Sequence, residues 1–246
     1  MRNAVGVFSI AFALGATILG PGAGAQPTQI SNCQMISDSG SYALNNNLST
    51  SSGDCLVITA SFVTINLAGF TISGGGDVNS TGIKAAPNSG TLQGIAVRNG
   101  SINNFDTGVH LGGFPPSAEG SIVEGLRVSG TGFLGIDIFE GIVKGNTVSG
   151  SYSAAAIGSL ASVVTGNNAS SNGDSVVFDV NSGNTDSGST VIGNAAIKGN
   201  TQGEGTIVAT CPANLIDNTA VGHPGRNLVL QQLPGKLCHT ANNVAP

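Results

Sequence analysis

The sequence predicts an all-β solenoid, and three observations carry that prediction. A six-residue pattern (apolar, any, Gly or Asn, any, any, apolar) recurs along the chain: "LAGFTI" from Leu67, "VRNGSI" from Val97, "VEGLRV" from Val123, "VKGNTV" from Val143 and "IDNTAV" from Ile216. "VTGNNA" from Val164 and "VIGNAA" from Val191 are weaker copies, and successive copies begin 20 to 30 residues apart. A second strand signal interleaves with it: "GIKA" at Gly82, "GVHL" at Gly108, "GIDI" at Gly135, "AIGS" at Ala156, "SVVF" at Ser175 and "TIVA" at Thr206. Finally, charged residues are only 9% and aromatics 4%, while Gly numbers 38. An average soluble domain is about 25% charged. Disordered chains are usually highly charged and poor in branched apolar residues, whereas this one is rich in Val and Ile.

Each repeat is read as a corner between two short strands. The two valines of "VKGNTV" are five residues apart, which puts them on opposite faces of a straight strand and about 140° apart on a helix. Both are buried only if the chain turns between them. Gly or Asn at the turn fits, because a tight corner often needs positive φ, which these residues tolerate best. Asn146, Asn167 and Asn194 hold the same motif position on successive coils, so their side chains are expected to stack as a hydrogen-bonded ladder. A single coil cannot bury its apolar face; stacked coils form one continuous core.

The chain begins with Arg2, an apolar run from Ala4 to Leu19, Pro21 and the small residues "GAGAQ". This reads as an export signal, residues 1–25, cleaved after Ala25; the apolar run is too short for a membrane span, and no later segment would span one. A secreted or periplasmic location follows. Cys33, Cys55, Cys211 and Cys238 have no C-x-x-C spacing for zinc or redox chemistry. Four cysteines allow three connectivities and sequence does not choose among them; in an oxidising compartment the sequence-neighbour pairs Cys33–Cys55 and Cys211–Cys238 are the expectation. Residues 26–54 are expected to cap the N-terminal end, 55–230 to form the solenoid, and 231–246 to form a C-terminal tail or cap. "NLVLQQL", from Asn227, reads as the last strand.

The variable coil length, the x-G-N-x corners and the "G-I-x-I" strands resemble the right-handed parallel β-helix of the pectate-lyase-like superfamily. The lead-in "SGSYALNNNLSTSSGDCLVITASFVTINLAGFTISGGG", Ser39 to Gly76, is similar to the entry segment of exported bacterial β-helix proteins. The resemblance covers roughly residues 39–230 and implies a single-domain right-handed parallel β-helix of about seven coils with disulfide-tied ends. It implies no one activity, since the superfamily holds lyases, hydrolases, epimerases and adhesins, and fold does not settle function. Its lyases use several Asp with calcium and a basic Arg or Lys, and its hydrolases use paired Asp. This chain has no adjacent carboxylates.

Most isolated motifs read as turns. "GDSV" at Gly173 resembles a serine-hydrolase block without a neighbouring His, and "GGGDV" from Gly74 resembles one unit of a calcium-binding repeat without its period; a flexible turn is expected at each. His223 and His239 read as turn and tail. Lys and Arg total 8 against 13 Asp and Glu, a net charge of −5, and loss of Arg2 makes it more negative. That argues against nucleic-acid or other polyanionic partners. Trp is absent and Tyr42 and Tyr152 are the only tyrosines, so a strong aromatic sugar platform is not expected. The fifth motif position, Thr71, Ser101, Arg127, Thr147, Asn168, Ala195, Ala220, is not the Thr array of an ice-binding solenoid.

One constellation carries chemistry. Lys84, His110 and Asp137 take the outward positions of three successive short strands, and stacked strands lie about 4.8 Å apart. Asp106 and Glu140 are near in sequence. A base, an imidazole and a carboxylate in one column are candidate catalytic groups for acid–base work on a sugar. The competing reading is a solvated charge ladder, as is also expected of Arg98, Glu124 and Lys144 on the other strand. The function expected is a non-catalytic envelope or surface scaffold binding an extracellular polysaccharide or an envelope partner, with no cofactor. The alternative is a polysaccharide lyase or glycoside hydrolase, with calcium if it is a lyase.

Overall fold

A computed structural model describes residues 26–113, 115–151, 155–171, 175–179, 190–198, 207–222, 227–232 and 234–246. The leader, Tyr152, the Gly173 turn and His223 lie outside the described residues. Every strand pairing is parallel. A sixteen-stranded sheet forms two faces joined by the corners, and a nine-stranded sheet forms the third. The whole is a parallel β-helix of about seven turns with no α-helix among the described residues. Crossovers between parallel strands are right-handed almost without exception.

The register follows the apolar pattern. Val97, Val123, Val143, Val164 and Val191 stack in one inward column, each with no exposed surface. After the corner, Ile102, Val128, Val148, Ala169 and Ala196 form the next column, all essentially buried. On the third face Ile83, Val109, Ile136 and Ile157 align. Each such side chain removes its area from water at about 25 cal/mol per Å2, so the stack is held chiefly by hydrocarbon burial.

Two copies of the motif sit in a different register from the one expected. Leu215, not Ile216, stacks on Val191, so Asp217 takes the corner at φ 55 and Thr219 replaces Ala220 in the fifth-position column. Asp and Asn both tolerate left-handed backbone, which made the sequence ambiguous there. At the other end Ile65 pairs with Val97 while Ile72 pairs with Ile102, so this corner is two residues longer. Leu67 lies inside it, fully buried.

The Asn ladder forms and runs further than expected. Asn146 Nδ2 donates to Asn167 Oδ1 at 3.0 Å, Asn167 to Asn194 at 2.9 Å, Asn194 to Asn218 at 3.0 Å and Asn218 to Asn243 at 2.9 Å. Each Oδ1 also accepts the backbone N–H of the preceding Asn, at 2.9 to 3.1 Å. The second Nδ2 hydrogen goes to a core-strand carbonyl, such as Val143 O from Asn167 at 2.9 Å. Asn146, Asn167, Asn194 and Asn218 are buried yet fully partnered, which is the condition for burying an amide without penalty.

Both ends carry the expected disulfides: Cys33–Cys55 with Cα atoms 4.4 Å apart and Cys211–Cys238 at 4.9 Å. The segment expected as a cap contributes rungs of its own: Thr28–Ile30 and Gly40–Leu44 extend one face and Gln34–Ile36 another. In the tail, His239–Ala241 pairs with Asn214–Ile216, so His239 is a strand residue and Leu228–Gln231 is the last strand only of its own sheet. Two glycines of "GGGDV" are closely approached by backbone: a Cβ at Gly74 would lie 2.3 Å from Asn104 O, and one at Gly75 2.1 Å from Ser51 O. They are glycines because neighbouring coils touch there.

Candidate functional site

The third face brings Lys84, His110 and Asp137 together as the periodicity predicted. Their inward neighbours Ile83, Val109 and Ile136 are buried, which turns the next residue on each strand outward, and His110 pairs in register with Lys84 on one side and Asp137 on the other. Their ion-pair contacts divide the three. Lys84 Nζ contacts Asp54 Oδ2, and Asp54 Oδ1 accepts the Thr81 N–H at 2.9 Å. His110 Nδ1 lies 2.8 Å from Asp137 Oδ2. Asp54, in the turn before Leu56–Ile58, therefore splits the column into two pairs. Asp106 is held elsewhere, its Oδ2 accepting the Asn79 N–H at 3.0 Å, and Glu140 sits exposed at a corner with φ 45.

The loop after His110 closes on the His–Asp pair. A Cβ at Gly112 would lie 2.6 Å from each Asp137 carboxylate oxygen, so the glycine lets the loop lie against the carboxylate as it is placed. The space beside Gly113 is bordered by Ser117 Oγ and His110 Nε2, 3.6 and 3.7 Å from where its Cβ would be. With Nδ1 engaged by the carboxylate, Nε2 is the ring nitrogen that borders this space. Asp137 faces Gly158 on the next coil, which ends the column.

On the adjoining face Arg98, Glu124 and Lys144 form the expected ladder. Arg98 Nε lies 3.0 Å from Glu124 Oε1 and Lys144 Nζ 2.7 Å from Oε2. The Lys144 hydrogen bond, with the Arg98 charge added, holds the Glu124 carboxyl below its ordinary value against an opposing desolvation.

The corners themselves make a third feature that the sequence reading did not treat as a site. Gly69, Asn99, Gly125 and Gly145 occupy positive-φ corners of successive coils, and three of the four have no side chain. With Gly100, Leu126, Arg127 and Thr147 they line an open trough of about 320 Å3. Arg127 and Thr147 are exposed neighbours in register, and they bring a guanidinium and a hydroxyl to the lining of the trough. The signal in the sequence was the recurring Gly itself, read there only as a turn residue. Among the described residues no group of three or more His, Cys, Asp or Glu side chains converges to hold a metal ion, and no helix is long and apolar enough to cross a membrane.

No family model matches the sequence, and no curated protein matches it. Two solved structures are similar in fold. One is the complex of XylC with xylose, at 8% identity and a TM-score of 0.46, covering 74% of this chain and 38% of that one. The other is the Dettilon tailspike protein, at 13% identity and a TM-score of 0.42, covering 87% and 60%. The chain thus spans less than two thirds of either. The parallel β-helix assignment rests on this chain's own strand pairing.

Proposed function

We propose that this is an exported, rigid scaffold that binds an extracellular polysaccharide along its corner trough. The observation that carries the reading is the run of side-chain-free corners at Gly69, Gly125 and Gly145, flanked by Asn99, Arg127 and Thr147. Side-chain-free corners stacked at rung intervals of about 4.8 Å, with one guanidinium and one hydroxyl beside them, suit a chain of hydroxyl-bearing rings. The outward charges, by contrast, are spent on one another: Lys84 on Asp54, His110 on Asp137, Arg98 and Lys144 on Glu124. Two disulfides are consistent with an extracellular or periplasmic site, and the 1–25 leader supports export.

The test is a panel of neutral and acidic polysaccharides, with and without calcium, against the mature protein and Thr147→Trp. Thr147 is exposed and bordering the trough, so an indole there should obstruct the ligand and weaken binding at least tenfold without changing the melting temperature. Undiminished binding by the variant would remove the trough from the account.

A second reading is favoured by the His110–Asp137 pair. A carboxylate orienting Nδ1, with Nε2 and Ser117 Oγ bordering one space, suits acid–base work in a polysaccharide lyase or glycoside hydrolase. In that reading Lys84 is a bystander held by Asp54.

A further inference from the structure

Phe62 is the least explained residue of the fold. It is 68% exposed and adopts φ 58, a left-handed conformation that is an outlier for a bulky side chain. The corners stacked beside it are Gly94 at φ 64 and Gly120 at φ 60, where that conformation is free. The backbone is the same at all three: Phe62 N donates to Gln93 O at 2.7 Å and Gly94 N to Glu119 O at 3.0 Å. Glycine would thus serve at position 62, and burial offers no compensation for phenylalanine. Disfavoured backbone at a largely exposed aromatic points to a ligand rather than to folding.

The surroundings say which ligand. A Cβ at Gly94 would lie 3.0 Å from Phe62 Cδ1 and 3.4 Å from Cε1, so the ring reclines over the next coil and keeps much of its surface in solvent. Gln93 Nε2 donates to Glu119 Oε2 at 3.1 Å, which leaves Gln93 Oε1, one Nε2 hydrogen and Glu119 Oε1 for other partners. Beyond them Gly120 is exposed with nothing within 4 Å of its Cβ position, and Glu140 follows, its carbonyl accepting the Gly120 N–H at 2.8 Å. An apolar ring flanked by an amide and a carboxylate matches the two sides of a pyranose, whose C–H face packs on an aromatic while its hydroxyls seek polar partners. The Glu119 carboxylate beside Gln93 repels uronates and sulfates.

We infer that Phe62, Gln93 and Glu119 form a sugar-binding subsite for a neutral glycan chain, on a different edge of the solenoid from the corner trough. This rests on the glycan-binding reading above and adds to it a second contact and a ligand charge.

The experiment compares the mature protein with Phe62→Asn, Phe62→Trp and Glu119→Gln on neutral glycans and on a polyuronate, with melting temperatures in parallel. Asn tolerates the left-handed backbone, so Phe62→Asn should leave the melting temperature unchanged or raise it while weakening neutral-glycan binding tenfold or more; Phe62→Trp should retain binding. Glu119→Gln should reduce the discrimination against the polyuronate. Neutral-glycan binding that Phe62→Asn leaves intact and Thr147→Trp abolishes would overturn this subsite and leave the trough standing. A Phe62→Asn protein that melts earlier and binds normally would make Phe62 structural. Failure of the wild-type protein to bind any glycan would sink both.

Discussion

The corners of the solenoid are filled in two ways. In the coils through Leu126 the filling is hydrocarbon: Leu67 and Leu126 are buried, and Leu67 packs so closely on Gly100 that a Cβ there would lie 2.3 Å from Leu67 Cβ. From Asn146 to Asn243 it is a chain of amides, in which Asn167, Asn194 and Asn218 each have an amide partner on both neighbouring coils. The inward column after the corner shrinks in step, from Ile102 and Val128 to Ala169 and Ala196. Hydrocarbon filling tolerates unequal pieces, provided volume is conserved. That is why the Leu67 corner can be two residues longer than its neighbour. An amide ladder tolerates no such slack, because each Asn must meet a donor and an acceptor set by the next coil. Regularity and the candidate sites therefore separate along the molecule: the trough, the His110–Asp137 pair and Phe62 all lie in or beside the hydrocarbon-filled coils.

The comparison can be broken at the junction of the two regions. Val143→Asp places an unpaired carboxylate in a fully buried rung and should cost roughly 4–5 kcal/mol, read by chemical denaturation; an unchanged melting temperature would mean the rung is not buried. Asn167→Leu should cost about 2–4 kcal/mol, because it strips Asn146 N and Nδ2 of their acceptor and Val143 O of its donor. Combining it with Asn194→Leu should cost less than the two single changes summed, since the first has already broken their shared bond. Strict additivity would show that the amides act independently. Leu126→Ala, also about 3 kcal/mol, should act through a cavity alone.

The outward ladder should matter far less. Glu124 has its folded value lowered by Lys144 and Arg98, so its contribution is present above the ordinary glutamate value and is lost as pH falls through the lowered one. With Lys144 half exposed that contribution is screened to a few tenths of a kcal/mol. Glu124→Gln should flatten the acid limb of stability by that amount and leave neutral-pH binding intact; a larger loss at neutral pH would contradict this.

Much of the fold was legible because periodicity is local. Val143 and Val148 announce a corner, and Asn146, Asn167 and Asn194 announce a ladder. The alignment of Lys84, His110 and Asp137 followed from the same register. What failed to show were contacts made across coils by residues with no local signature. Nothing near Asp54 in sequence tells that it takes Lys84 away from His110. Gly74 and Gly75 look like free turn residues, whereas neighbouring coils press on them. Phe62 reads as an ordinary apolar residue before a strand, because backbone handedness leaves no trace in the identity of a phenylalanine.

Asp137→Asn separates a molecule whose outward columns stabilise rungs while the trough binds the ligand from one in which a column is catalytic. Asn keeps the volume of Asp137 and its place opposite His110. Stability, glycan affinity and turnover of the best-bound polysaccharide should be measured on one preparation of wild type and variant. The expected result is a stability change well under about 1 kcal/mol, unaltered affinity and no difference in turnover. A loss of turnover of about a hundredfold or more with the fold intact, the scale of one missing acid–base partner, would contradict it and make the His110–Asp137 pair a catalytic site.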